Sequence, residues 1–137
     1  MAQSGWIILD KDSGLFSRTA GGRIARMLGT KKFGHIGTLD PMATGVLPVF
    51  VGRATRGVEF FEHAEKTYEA VIRFGITTDT EDISGTVLTK QDVCLTEEEF
   101  LAVLPKFRGE IMQVPPMYSA LKVDGQKLVD LARKGRE

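Results

Sequence analysis

Residues 34–48 read GHIGTLDPMATGVLP, and this stretch decides how the rest of the chain is understood. Three glycines and two prolines surround a single carboxylate, Asp40, and His35 lies five residues before it. Pro41 keeps the backbone of Asp40 out of the helical region, and the glycines let another backbone or a ligand approach closely. The pattern therefore predicts a constrained loop that holds one acidic side chain.

The chemistry open to Asp40 is limited, because no second acid stands in the loop to form a carboxylate pair. Its nearest titratable neighbours in sequence are Lys31, Lys32 and His35, and nearby cations favour an ionised carboxylate. Such a group suits a nucleophile or an electrostatic role. The local features leave open a simpler interpretation, in which Asp40 only forms an Asx turn before Pro41.

Two other kinds of site are excluded by spacing. Residues 29–34 have the GxxxxG spacing of a phosphate-binding loop, but His35 and Ile36 follow where that loop needs Lys and Ser or Thr. A metal site is not expected, because the chain has only two histidines and one cysteine and no HxxxH or CxxC motif.

Charge is balanced overall but unevenly distributed. Lys plus Arg and Asp plus Glu both number 18 among 137 residues, so the formal net charge is zero. Residues 17–32 carry five basic side chains and no acid, residues 59–110 carry twelve acids against five bases, and residues 122–137 are basic again. The basic stretch could follow phosphates, or it could be only a solvated face.

Cysteine content and the start of the chain bear on location. Cys94 is the only cysteine, so no disulfide framework is possible. The first residues, MAQSGW, lack a signal-peptide pattern, and no apolar run is long enough to span a membrane. We expect a cytoplasmic protein with no membrane contact.

Local patterns predict strands mixed with helices, without a regular βαβ repeat. Ser17 is expected to cap a helix with an apolar stripe of Ala20, Ile24, Met27 and Leu28, which Gly29 ends. Gly21 and Gly22 in this helix would allow close packing. Further helices are predicted over 54–63, from a capping box that starts at Thr96, and from 127 onward. Strands are predicted at 6–9, 46–51, 67–74, 85–89 and 111–114, with an acidic loop at 77–85 and a hairpin turn at 124–125.

The stretch at 34–48 closely resembles the central motif of the TruB family of tRNA pseudouridine synthases. Three more stretches resemble other motifs of that family, in the family's order: GWIILDKDSGLFS at 5–17, KTYEAVIRFGITTDTEDISG at 66–85 and VPPMYSALKVDGQKL at 114–128. Two departures are visible. Asp12 stands where the family usually has proline, and Ile36 stands where it usually has threonine. Neither departure touches Asp40.

The resemblance implies an α+β fold, with a mixed, largely antiparallel sheet and flanking helices, as in the pseudouridine synthase catalytic domain. Residues 1–137 resemble only the amino-terminal part of that domain, so we expect the fold to be incomplete in this chain. Residues 113–137 correspond to an RNA-binding thumb. The family's RNA-binding PUA domain is expected to be absent, and the chain alone is expected to be inactive.

The resemblance also implies a reaction and its residues. The family breaks the bond between uracil and ribose, turns the base and rejoins it through C5, without cofactor or metal. Asp40 matches the catalytic group, Tyr68 the residue that stacks on the uracil, and His35 the residue that occupies the space left by the flipped base. The implied partner is the T-arm stem-loop of tRNA, with no obligate protein partner. Phosphate contacts are expected from Arg18, Lys31, Lys32 and Lys122.

Two other classes of function stay open at this point. A non-catalytic module for structured RNA would bind RNA but release no tritium from C5-labelled uridine. A small-molecule α/β enzyme with a reactive Asp40 would be indifferent to RNA.

Overall fold

The computed structural model describes residues 3–61, 63–119 and 121–132. The chain divides into two compact units, Met1–Glu69 and Ala70–Glu137. Each unit is described by itself below.

The first unit is built on a three-stranded antiparallel sheet. Its strands are β1 (Gly5–Lys11), β2 (Phe33–His35) and β3 (Gly45–Val51), in the order β1-β3-β2. β1 pairs with β3 along its whole length, from Gly5 opposite Val51 to Lys11 opposite Gly45. Helix α1 (Ser17–Met27) connects β1 to β2, and a 3₁₀ helix (Gly52–Phe61) follows β3. This 3₁₀ helix stands where a short helix was predicted over 54–63, and it begins two residues earlier.

Helix α1 covers one face of this sheet and forms the core with it. The buried core side chains are Ala20, Ala25, Leu47, Val49 and Val51. The predicted close packing at Gly21 is confirmed, because a Cβ there would lie 2.9 Å from Cδ2 of Phe33. Met27 was wrongly placed in the apolar stripe; it is 81% exposed, and Ala25 faces the core instead.

Both ends of α1 were predicted, but only one prediction of a cap is confirmed. Gly29 ends the helix with φ +67°, a left-handed conformation that glycine adopts without steric cost, and its N–H donates to the carbonyl of Arg26. Ser17 does not cap the first turn. Phe16 stands at the N-cap and has no side-chain group that could cap the helix, and the hydroxyl of Ser17 is bonded to Leu39 instead.

The opposite face of the sheet is apolar and open within this unit. Trp6, Ile8 and Val46 are 63%, 52% and 67% exposed. Trp6 stacks on Phe50, with ring centroids 6.4 Å apart, and Phe61 of the 3₁₀ helix packs on the same ring. The alternation of β1 thus gives two apolar faces, of which α1 covers one.

The second unit contains two hairpins and short helices. Strands β4 (Ile76–Thr78) and β5 (Val87–Lys90) form one hairpin, and β6 (Lys122–Val123) and β7 (Gln126–Lys127) form the other. Helix α2 (Glu97–Val103) runs into a 3₁₀ turn (Leu104–Phe107), and α3 (Leu128–Ala132) follows β7. The part of the predicted last helix beyond residue 132 lies outside the described residues.

Three local predictions in this unit are confirmed. The capping box is complete, since Thr96 Oγ1 accepts from the Glu99 N–H and the Glu99 carboxylate accepts from the Thr96 N–H. The turn at Asp124 and Gly125 closes the hairpin of β6 and β7, with positive φ at both residues. The strand predicted at 85–89 is present as β5.

The strands predicted at 67–74 and 111–114 were wrong; both stretches are irregular, and the sheet starts at Ile76 instead. A strand needs a neighbour that pairs with its backbone, and no described residue pairs with either stretch. Every strand pair in the described part of the chain is antiparallel. Helices with small antiparallel sheets agree with the α+β class, but the strands form three small sheets rather than one.

Candidate active site

The loop that carries Asp40 is fixed on its amino-terminal side by Ser17. The Ser17 hydroxyl donates to the Leu39 carbonyl and accepts from the Leu39 N–H, both at 2.9 Å. Ser17 is 2% exposed. A buried hydroxyl that satisfies both backbone groups of one residue holds that residue in place. Helix α1 therefore positions the residue before Asp40.

Lys11 and Gly14 fix the loop on the other side of Asp40. The Pro41 carbonyl accepts from the Gly14 N–H at 2.7 Å and from Lys11 Nζ at 3.3 Å. Lys11 is only 1% exposed, and its Nζ also donates to the carbonyls of Asp12 at 3.0 Å and Leu15 at 2.8 Å. An ammonium group has three donors, so these three carbonyls use all of them.

Asp40 lies between these two attachments with its side chain exposed. Its backbone carbonyl accepts from the Ala43 N–H at 3.1 Å. The main chain of Asp40 thus closes a turn at the tip of the loop, and the loop backbone is restrained while the carboxylate faces outward. This arrangement offers an anionic group at a fixed place.

His35 stands at the end of β2, where the loop begins. Its Nδ1 lies 2.6 Å from the carbonyl of Gly37. A carbonyl only accepts, so Nδ1 carries the hydrogen, and a neutral His35 presents Nε2 as an acceptor. Gly37 has φ +68°, a conformation that turns its carbonyl back toward the ring and that other residues rarely adopt.

His35 borders two concavities on the surface of the first unit. One, of about 320 Å³, is lined by loop residues 36–38 with Val58 and Lys66. The Lys66 side chain lies over Gly37, with Cε 3.5 Å from where a Cβ would stand, and its Nζ donates to the Ala64 carbonyl. Sequence reasoning missed Lys66, although it stands two residues before Tyr68 in the same motif.

The other concavity, which we call the basic concavity, brings together three predicted phosphate contacts. Its volume is about 360 Å³, and it is lined by Arg18, Lys31, Lys32, Phe33, Gly34 and His35. The Lys32 N–H donates to Thr30 Oγ1 at 3.2 Å, which orders the turn that carries the two lysines. Arg18 comes from α1, so two separate segments supply the cations beside His35.

Three predicted site residues are absent from the lining of these concavities. Tyr68 lies in an irregular segment, is 65% exposed, and lines neither of the concavities that contain His35. Lys122 is an exposed residue of β6 in the second unit. Asp40 itself also lines neither concavity; it is the tip of the loop that follows His35.

The described residues contain neither a candidate metal site nor a membrane-spanning helix. In residues 3–61, 63–119 and 121–132, no group of three or more His, Cys, Asp or Glu side chains could hold a metal ion. Within the same residues, the helices are too short or too polar to cross a membrane.

Comparison with known proteins agrees with the motifs. Residues 25–137 match the family described as TruB family pseudouridylate synthase (N terminal domain). Relatives named tRNA pseudouridine synthase B include those of Gluconacetobacter diazotrophicus, 48% identical over 132 residues, and Stutzerimonas stutzeri, 51% identical over 132 residues. Each alignment covers 96% of this chain and 43% of the relative. The relative from Caulobacter sp. is 50% identical over 136 residues, which is 99% of this chain and 44% of that protein. The chain thus spans less than half the length of these relatives.

Proposed function

The chain belongs to the TruB family of pseudouridylate synthases, and from this premise we propose that it supplies the catalytic loop of an enzyme that converts uridine in tRNA to pseudouridine. The proposed substrate site is the T-loop, the proposed fold is the catalytic fold of pseudouridine synthases, and the proposed compartment is the cytoplasm, where tRNA is used. Relatives that are about half identical carry the name tRNA pseudouridine synthase B.

The proposal rests on the way in which hydrogen bonds fix the backbone on both sides of Asp40. Leu39 before it and Pro41 after it are both held by hydrogen bonds from buried side chains, while the carboxylate is exposed. An exposed acid on an unrestrained loop would fit a solvated surface. An exposed acid on a loop fixed at both flanking residues fits a group that must meet a substrate atom in one geometry.

Asp40 acts on the nucleoside as an anion in this proposal. The bond between N1 of uracil and C1′ of ribose breaks, the ring turns, and C5 forms the new bond to C1′. The hydrogen of C5 leaves as a proton and N1 takes one up, so the reaction is an isomerisation without oxidant or reductant. Asp40 serves as nucleophile or base in this exchange, and the resemblance implies no cofactor.

His35 and Tyr68 take the two roles that base flipping requires. Extrusion of the target base costs a few kcal/mol. Contacts of the protein with the flipped base, and with the RNA around the space that it leaves, must offset this cost. His35, held by the Gly37 carbonyl at the entrance to the loop, fills the vacated space. Tyr68, with an exposed ring, stacks on the uracil, an interaction worth about 1–3 kcal/mol per base.

The cations position the RNA rather than choose the base. Arg18, Lys31 and Lys32 line one concavity beside His35. A phosphate backbone bound there therefore lies next to the side chain that fills the space left by the flipped base. Such contacts fix the register of the RNA and carry no sequence information themselves. Lys122 adds a contact from the segment that corresponds to the thumb.

A chimera tests the proposal. Residues 1–137 replace the matching segment of the Caulobacter relative, and tritium release from C5-labelled uridine in a T-arm RNA is measured. We expect release by the chimera, loss of release in Asp40→Asn, and normal release in Asp10→Asn, an exposed aspartate on β1 that serves as the control. RNA binding should change little in Asp40→Asn, because phosphate contacts dominate affinity.

Two results would speak against this function. Turnover by Asp40→Asn equal to that of the parent chimera would remove Asp40 from the chemistry. RNA binding by the parent chimera without tritium release would favour the alternative, a non-catalytic module for structured RNA, which the names of the relatives do not favour.

A further inference from the structure

We infer that the phosphate track of the bound RNA continues from the basic concavity along helix α1 to Arg26, which binds a phosphate in addition to those held by Arg18, Lys31 and Lys32. This inference rests on the proposed function and extends the site. It starts from a third concavity of about 450 Å³, lined by Arg18, Thr19, Gly22, Ala25, Arg26, Thr30, Lys31 and Phe33.

This concavity and the basic concavity adjoin, because three residues line both. Arg18, Lys31 and Phe33 line both of them. We call the combined surface the α1 groove. His35 lines only the basic concavity and Arg26 only the third concavity, so RNA seated beside His35 can extend over the adjoining concavity to Arg26.

The charge of the α1 groove is of one sign. Arg18, Arg26, Lys31 and Lys32 line it, and neither concavity has an acidic lining residue. A cleft lined by charges of one sign focuses the field and concentrates counter-ions such as phosphates. The sequence alone left open a solvated face; four cations that converge on one groove favour an anionic polymer.

The floor and walls of the groove suit a backbone that passes closely. Gly22 has no side chain, and Phe33 packs beneath it with ring carbons 3.5 and 3.6 Å from where a Cβ would stand. Thr19 and Thr30 add hydroxyl groups that can donate to phosphate oxygens. Arg26 Nε donates to the Gly22 carbonyl at 3.3 Å, which holds the guanidinium against the groove.

The length of the groove matches several phosphates. Arg18 and Arg26 are eight residues apart on α1, which is roughly 12 Å at 1.5 Å per residue. A nucleic-acid strand in a helix carries a phosphate about every 3.4 Å along its axis. Arg18 and Arg26 are therefore far enough apart to meet different phosphates, so Arg26 adds a contact to that of Arg18.

Arg23 provides a matched control for Arg26. Both are exposed arginines of α1, three residues apart, but Arg23 does not line the groove. We would measure binding of T-arm stem-loop RNA to the 137-residue chain over a range of salt concentrations. Arg26→Gln should reduce the slope of log affinity against log salt by about 0.7–0.9, the contribution of one phosphate contact, and Arg23→Gln should leave the slope unchanged.

Arg26→Lys separates charge from packing. A lysine keeps the positive charge on a flexible stem, so it should restore most of the slope. Equal slopes for Arg26→Gln and Arg23→Gln would overturn the inference, since they would mean that the charge acts only at long range. Failure of Arg26→Lys to restore the slope would also overturn it.

The inference and the proposed function fail in different measurements. Tritium release by the chimera together with an unchanged slope in Arg26→Gln would keep the function and remove the groove. No tritium release together with a slope reduced only in Arg26→Gln would keep the groove as an RNA-binding surface and remove the enzyme. Absence of RNA binding by the parent chain would overturn the groove.

Discussion

Lys11 is a buried cation that donates to three neutral backbone carbonyls, those of Asp12, Leu15 and Pro41. Burial of a charge is costly unless hydrogen bonds replace its water. Three carbonyl dipoles do this here, and they belong to two stretches of chain that are about thirty residues apart. The side chain therefore joins the turn after β1 to the loop of Asp40.

Replacement of Lys11 by methionine should weaken this junction. Lys11→Met keeps much of the side-chain volume but removes the donors, so buried carbonyls lose their partner. We expect the free energy of unfolding to fall by about 1–3 kcal/mol, the cost of leaving a buried polar group unsatisfied. Denaturant unfolding measures this. Lys90→Met, at an exposed position of β5, is the control, and an equal loss in both variants would show that the burial of Lys11 is unimportant.

Asp82 makes the second unit sensitive to acid. Slight burial raises the pKa of Asp82, but hydrogen bonds from the hydroxyls of Ser84 and Thr80 and from the Ser84 N–H outweigh it, so the pKa lies below the usual value of 3.8. A carboxyl whose pKa is lowered by folding stabilises the folded state above its unfolded pKa. That stability is lost as the pH falls through the lower, folded pKa.

Asp82→Asn should reduce this loss. Asparagine keeps an oxygen that can accept from Ser84 and Thr80, but it does not titrate. We expect the loop at 79–86 of the parent chain to become more accessible to an acid-active protease as the pH falls below 3.8, whereas Asp82→Asn, which never carries the charge, should be more accessible already above that pH and change little on acidification. Asp12→Asn, at an exposed position of the first unit, should behave like the parent. The same acid profile in all three proteins would contradict the role of Asp82.

At the scale of elements, the contact between helix α1 and strand β2 shapes both the core and the α1 groove. Phe33 of β2 packs against Gly21 and Gly22 of α1, and it lines the groove on its outer side. A change at this contact should therefore affect stability first. The two adjacent glycines allow that effect to be separated from helix propensity.

Gly21→Ala and Gly22→Ala should change stability in opposite directions. Alanine is favoured over glycine in a helix by up to about 1 kcal/mol. At Gly22 the new Cβ would lie 3.5 Å or more from the Phe33 ring, so the gain should be kept. At Gly21 it would lie 2.9 Å from that ring, so the ring must move and the core is disturbed. The midpoint temperature of thermal unfolding should be higher for Gly22→Ala than for the parent and lower for Gly21→Ala. The reverse order would contradict the packing described for these two glycines.

Elements with their own start and stop signals could be predicted from the sequence. The turn at Gly29, the capping box at Thr96 and the hairpin at Asp124 are local chemistry, and all three are present. The strand predicted at 67–74 failed because a strand depends on a partner that local pattern does not reveal. The burial of Lys11 follows from the alternation of β1, but the predicted strand stopped at Leu9, two residues too early.

The candidate site was predicted in part for the same reason. Asp40 and His35 stand in one continuous motif, so sequence alone placed them in one loop. The meeting of Arg18 with Lys32 depends on the packing of α1 against β2, and no spacing rule gives it. The role of Ser17 was missed because its hydroxyl bonds to Leu39, 22 residues away, instead of to its own helix.

At the scale of the whole molecule, the protein combines an exposed apolar surface with a net charge of zero. The chain has no formal net charge, and the face formed by Trp6, Ile8 and Val46 is more than half exposed. Contiguous apolar patches promote association, and a net charge near zero does little to oppose it.

The 137-residue chain alone should therefore self-associate. Because it spans less than half the length of its relatives, it should also lack synthase activity by itself. Light scattering should give a mass above 15.1 kDa that rises with concentration. The double variant Ile8→Lys and Val46→Lys should lower that mass, whereas Val71→Lys, at an exposed residue outside this sheet, should not. Normal tritium release by a 15.1 kDa monomer would contradict both parts of the prediction.

The hydrogen bonds from Lys11 and Gly14 to the Pro41 carbonyl bear on when the loop of Asp40 can form while the chain is being synthesised. Lys11 and Gly14 contact Pro41 within the first 41 residues, and β1, which carries Lys11, pairs with β3 in a ladder that joins Gly5 to Val51. Contacts of such sequence separation form slowly compared with a helix turn. The hydrogen bonds that fix the loop of Asp40 come entirely from residues before β3, so this loop can reach its final shape while the later parts of the chain are still being made.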